Sequence, residues 1–211
     1  MSGVLTKKQI EWIKERRWRI LVTAVSFCLL LCMYAVIWGF SEQDGDTSSS
    51  LSLRISEGLV RFFDAVAGRH WTEDIRKGWA LYFEHPVRKL AHFGEYAVMG
   101  ILIFGIWRPW VAAERFFAKK AEEDTPSGGG RKKKHLTRFG AWCLITVLWV
   151  FCSAASDEIH QTFIDGRDGN FADVLLDTCG GTFGLWFSVT VTRLFERAGK
   201  KRRKKSAEAK R

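Results

Sequence analysis

The sequence predicts an all-α membrane protein, a four-helix transmembrane bundle with an outer interfacial amphipathic helix. Three observations predict it. Mean hydropathy over the 211 residues is near zero, yet four apolar stretches alternate with charged ones. The charges are partitioned by segment rather than scattered. A stripe of apolar residues at helical spacing follows the first apolar stretch.

Met1–Arg19 is basic, and Ile10, Trp12, Ile13 and Trp18 suit a helix lying on the inner surface before it turns into the bilayer. The first span is expected over 20–40, a near charge-free run long enough for about 30 Å of hydrocarbon. It is too long for a signal peptide and lacks a clear small-x-small cleavage site. SEQDGDTSSS then supplies turn and capping chemistry. Ile55, Leu59, Phe62 and Val66 follow, with Arg54, Glu57, Arg61 and Asp64 between them, which predicts an amphipathic helix on the outer interface. Residues 69–87 carry Trp71, Trp79, Tyr82 and Phe83 and fit an interfacial segment. Pro86 suits the first turn of the second span, expected over 88–107. Residues 119–138 contain TPSGGGRKKK and read as a flexible basic loop. The third span is expected over 139–158 and the fourth over 171–192. The basic tail 193–211 reads as disordered after Arg197.

Segments 1–19, 108–138 and 193–211 hold 25 of the 33 Lys and Arg but eight of the 23 Asp and Glu. They therefore carry +17, against −7 for the rest of the chain. The positive-inside rule puts these segments, and both termini, in the cytoplasm. RKKK at 131–134 and KKRRKK at 200–205 read as anchors for anionic lipid heads, so no nucleic-acid partner is expected. Cys28, Cys32, Cys143, Cys152 and Cys179 all fall in or beside spans and read as small buried apolar residues.

The polar residues worth explaining lie at the outer ends of three spans. Lys89, His92 and Tyr96 share a helical stripe, with Glu95 at its border. Asp157, His160 and Gln161 share a face, with Glu158 to one side. Asp173 and Asp177 are one turn apart, on a stripe that continues to Gly184. Gly180-x-x-x-Gly184 is a small-xxx-small pattern that lets helices approach closely, so the two carboxylates should face the bundle interior. Ionisable groups at membrane depth are costly and mark functional sites. His92, His160, Asp173 and Asp177 are the candidates for acid–base chemistry. Ion pairing that merely holds helices together is the plain alternative. No metal and no cofactor is expected, since no metal-ligand spacing is present. Nothing matches a nucleophile elbow, a P-loop or a zinc-protease helix.

Three segments resemble the VanZ-like family of membrane proteins, whose namesake is linked to teicoplanin resistance. FSEQDGDTSSSLS is similar to the family's Ser-x-Gln segment, RKLAHFGEYAVMG to its second motif, and SDEIHQTFIDGRDGNFADVLLDTCGGTFG to its third. The resemblance adds Ser41, Gln43 and Arg167 to the candidate ligand-binding residues. Asp165 departs from it, standing where many relatives have proline, and Asp177 stands where many have Asn. The resemblance implies a bacterial cell-membrane protein and a phenotype class, not a mechanism. Two function classes follow. One is a protein that binds a lipid-linked envelope precursor or a lipoglycopeptide in a polar outer-leaflet pocket, among membrane lipids. The other is a membrane-embedded hydrolase or transferase acting on an envelope lipid. A proton-coupled transporter fits less well, because its polar groups belong near mid-membrane.

Overall fold

The computed structural model describes residues 7–123 and 129–209, and side chains over 13–114, 138–202 and 205–209. The described residues are 90% helical, with no strand among them. Five helices follow in order: α1 (Lys7–Ser41), α2 (Gly45–Ala67), α3 (Glu73–Glu123), α4 (Gly129–Gln161) and α5 (Phe171–Glu208). All but α2 are long and apolar enough to cross a membrane.

α3 is the hub, packing against every other helix. Its Tyr96, Met99, Ile103, Phe104 and Trp107 form the centre of the core with Leu30 and Ile37 of α1, Val150 and Ala154 of α4, and Val174 and Leu185 of α5. The closest seam is α3 against α5. A Cβ at Gly180 would strike the carbonyl of Phe93, and one at Gly184 that of Ala97, while Gly100 faces Gly181. The expected small-xxx-small stripe is therefore the line along which α5 meets α3.

Contacts fix how the helices alternate. At one end, Thr23 Oγ1 donates to the Ile106 carbonyl, Arg108 pairs with Glu196, and Arg138 pairs with Glu114. At the other, Lys89 meets Asp173, and Arg167 donates to the Phe40 carbonyl. The first is called the basic end and the second the polar end. α1 and α4 run from the basic to the polar end, while α3 and α5 run back.

α2 lies at the polar end against the first turns of α3. Asp44 caps it by accepting from the Thr47 N–H at 2.6 Å, and the Thr47 side chain together with this backbone bond holds the carboxyl of Asp44 below its ordinary value. Gly68, at φ 60°, ends it in the left-handed conformation. Its buried stripe is Ser48, Ser52, Ser56, Val60 and Asp64, whereas Ile55, Leu59, Phe62 and Val66 face outward. The apolar side thus points away from the protein, as it does in a helix bathed by lipid.

Several expectations need correction. α1 is one continuous helix, so no turn separates the basic segment from the first span; the side chains of Ile10 and Trp12 lie outside the described residues. Segment 73–87 is not a separate interfacial piece but the first four turns of α3, and Pro86 stands inside that helix, as does Pro109. α3 and α4 also extend into the expected loop, to Glu123 and from Gly129, and residues 124–128 lie outside the described ones. The tail is helical to Glu208, because Ala, Glu, Lys and Arg are strong helix formers. Cys28, Cys32, Cys152 and Cys179 are on the outer surface and Cys143 is half-buried. A bundle whose solvent is lipid need not hide small apolar groups.

Candidate functional site

The polar end encloses a cavity of about 370 Å³. Lys89 and His92 of α3, Glu158 and Gln161 of α4, Arg167 of the following loop, and Asp173 and Asp177 of α5 all line it. Seven of the expected residues, from three helices and one loop, therefore share one wall. The local fold explains why. α4 ends at Gln161, and the turn that follows contains Gly166, φ 73°, whose carbonyl sits so close to Gly45 that a Cβ there would not fit. Gly45 N–H donates to the Asp165 carbonyl at 3.2 Å, so the loop clasps the start of α2. Asn170 then caps α5 by accepting from the Ala172 N–H, and its own N–H donates to Glu158 Oε2 at 2.8 Å.

Charges in the cavity are partly paired. Lys89 Nζ donates to Asp173 Oδ1 at 2.6 Å. Arg88 Nη1 donates to Ser49 Oγ at 3.3 Å and holds α2 to α3. Burial and the nearby Arg88 both lower the pKa of Arg167. Asp177, 1% exposed, reaches the cavity from about 1.7 turns down α5, about 9 Å below Phe171. Its Oδ1 has no hydrogen-bond partner among the described residues, nor do His92 Nδ1, Glu95 Oε2 and Asp157 Oδ1, all buried. His92 Nδ1 and Glu95 Oε2 are 3.7 Å apart, too far for a direct hydrogen bond.

The remaining expected residues fall outside the cavity wall. Tyr96, fully buried, and Asp157, 5% exposed, sit behind it on α3 and α4. Glu95 is half-buried and does not line the cavity. Gln161 Nε2 donates to Asp157 Oδ2 at 3.1 Å and links wall to inner layer. Ser41 and His160 pair with each other, Oγ to Nδ1 at 3.3 Å, and the His160 ring lies against Trp38 at 4.3 Å between centroids. Gln43 is half-buried in the α1–α2 link. Among the described residues, no group of three or more His, Cys, Asp or Glu is arranged to hold a metal ion.

Sequence reasoning missed Asp46, Ser49, His85, Arg88 and Asp168, which also line the cavity. His85 and Arg88 were findable. They continue the stripe of Lys89 and His92 by one turn; the assumption that Pro86 opened the helix hid His85, whereas Arg88 lay inside the expected span.

The fold and the cavity define a multi-pass α-helical membrane protein with a charged hollow at one end of its bundle. The VanZ/LLP1 family model matches residues 26–193, most of the chain, and the chain belongs to the VanZ-like family. No curated protein and no solved structure matches it.

Proposed function

We propose that this is a bacterial cell-membrane protein that binds the polar head of an amphiphilic envelope molecule in its polar-end cavity. The molecule is a lipid-linked envelope precursor or a lipoglycopeptide, and teicoplanin-type resistance is the expected consequence. One observation carries the reading: a cavity at span-end depth lined by both signs of charge, with apolar helix faces all around it. A head rich in donors and acceptors suits the wall, and its chain suits the surroundings. The positive-inside rule puts the basic end in the cytoplasm and the cavity at the outer leaflet. A membrane-embedded hydrolase or transferase is the second reading, favoured by the unpartnered buried His92 Nδ1 and Asp177 Oδ1.

The test is the teicoplanin sensitivity of a susceptible bacterium expressing the chain, or its Asp173→Asn or His92→Ala variant, with a glycopeptide lacking the acyl chain as control. Protection against teicoplanin alone, lost in both variants at equal protein levels, is expected. Equal protection by the variants would sink the cavity's role. Turnover of a lipid-linked precursor by the purified chain would decide for the enzyme.

A further inference from the structure

A second hollow, about 570 Å³, lies on the flank of the bundle between α1 and α4. These two helices barely touch, since each is held mainly by its neighbours. The walls are Ile37 and Trp38 of α1 and Ile145, Leu148 and Trp149 of α4. All but Ile37 are 46–52% exposed, so the cleft opens sideways, where a membrane protein meets lipid chains. Tyr34 stands in its floor with its hydroxyl already used: Trp149 Nε1 donates to it at 2.7 Å, and Ser153 Oγ lies at 2.6 Å. The cleft therefore asks nothing polar of an occupant along most of its length.

One end differs. Asp157, 5% exposed, closes the cleft beside the polar cavity. Its Oδ2 accepts from Gln161, while Oδ1 is buried with no partner among the described residues. A buried oxygen of this kind is satisfied by a donor brought from outside. From Asp157 to Ile145 is twelve residues of α4, about 18 Å at 1.5 Å per residue. One leaflet is about 15 Å deep, half of a 30 Å hydrocarbon core. The cleft has the length of a single leaflet and begins at the head-group end.

We propose that the cleft seats one acyl chain of the leaflet at the polar end, entered from the side, with a hydroxyl or amine of the head donating to Asp157 Oδ1. The proposal rests on the amphiphile reading above for the identity of the molecule, and adds where its chain lies and which head chemistry it needs. Gln161 belongs to the cavity wall and holds Asp157, so this hydrogen-bonded pair stands between the two hollows.

The probes are a long-chain alcohol bearing a photoactivatable diazirine at mid-chain and the methyl ether of the same alcohol. The full chain is labelled in phosphatidylglycerol nanodiscs, and cross-links are mapped by mass spectrometry. Labelling should concentrate on 34–38 and 145–152, with the alcohol roughly tenfold more effective than the ether, the worth of one hydrogen bond to a carboxylate. Cys152→Trp, a change on the exposed cleft wall, should suppress it, and Asp157→Leu should make the two probes equal. Labels spread evenly over all four spans, equal for both probes, or unchanged in Cys152→Trp would overturn the proposal. So would labelling replaced by cross-links between two copies. The alcohol–ether comparison needs no variant and decides the part of Asp157 even if Asp157→Leu does not fold. Displacement of the label by teicoplanin or a lipid-linked precursor supports both readings. A cleft label that neither displaces keeps the acyl seat and sinks only the function proposed above.

Discussion

Lys89 and Asp173 join two helices at 2.6 Å, yet both side chains are about one-third exposed. Screening at that exposure leaves such a pair about 1 kcal/mol or less of stability. Asp173→Asn is therefore expected to leave the detergent melting temperature almost unchanged while abolishing resistance or ligand binding. Loss of activity that tracks melting would reduce the pair to a structural tie. If the cavity acts as a unit, adding His92→Ala to Asp173→Asn should cost little more activity than either change alone. Asp64 provides a separate, structural test. It is buried, accepts from the Trp71 N–H at 3.1 Å and from Arg76 Nε at 2.9 Å, and has its pKa lowered chiefly by the first of these. A depressed carboxyl stabilises fully above its unfolded value of about 3.9 and loses that contribution as pH falls through its folded value. Protection of the α2 amides from hydrogen exchange, taken relative to the intrinsic rate at each pH, should therefore fall below about pH 4, and Asp64→Asn should be poorly protected already at neutral pH. Protection that stays constant with acid would deny Asp64 this role. At this scale the sequence was informative where polar residues interrupt apolar runs, as at His92 and Asp177. It was silent on Asp46 and Ser49, which reach the cavity only because the loop at Gly166 pulls α2 over it.

Among the helices, the α3–α5 seam leaves no room for a side chain at Gly184, where a Cβ would meet the Ala97 carbonyl. Gly184→Leu should lower stability by roughly 1–3 kcal/mol or more, the cost of overpacking a close contact, with loss of activity. Gly78, with nothing within 4 Å of its Cβ position, is the control. Gly78→Ala should be neutral or stabilising by about 0.5–1 kcal/mol. Thermal melts in one detergent compare the two, and equal effects would mean that the seam is looser than it stands. This seam was legible beforehand because Gly-x-x-x-Gly and the carboxylates Asp173 and Asp177 share one stripe. The identity of α3 was not, since Pro86 suits a helix start and a helix interior in a membrane alike. α2 was half legible. Its apolar stripe announced the helix, but nothing in the sequence marked the serines opposite as the face that α3 buries.

For the whole molecule, α1 and α4 run towards the polar end and α3 and α5 away from it, so the start of α1 and the end of α5 share a side. With the native cysteines replaced, a cysteine at exposed Asp165 should react with an impermeant reagent outside intact cells, and one at exposed Gly199 should not. Labelling of Gly199→Cys from outside would invert the orientation. α3 imposes a further condition on the molecule's surroundings. At 1.5 Å per residue its 51 residues form a rod of about 76 Å, well beyond the roughly 40–45 Å of a bilayer with its head groups. Pro86 and Pro109 each remove a hydrogen bond from that rod. They stand 23 residues apart, about 34 Å, close to the thickness of the hydrocarbon itself. The two places where the rod is a hydrogen bond short thus stand about one hydrocarbon thickness apart. The arm before Pro86 carries one rim of the polar cavity through His85, so a bend at Pro86 would move the cavity's mouth.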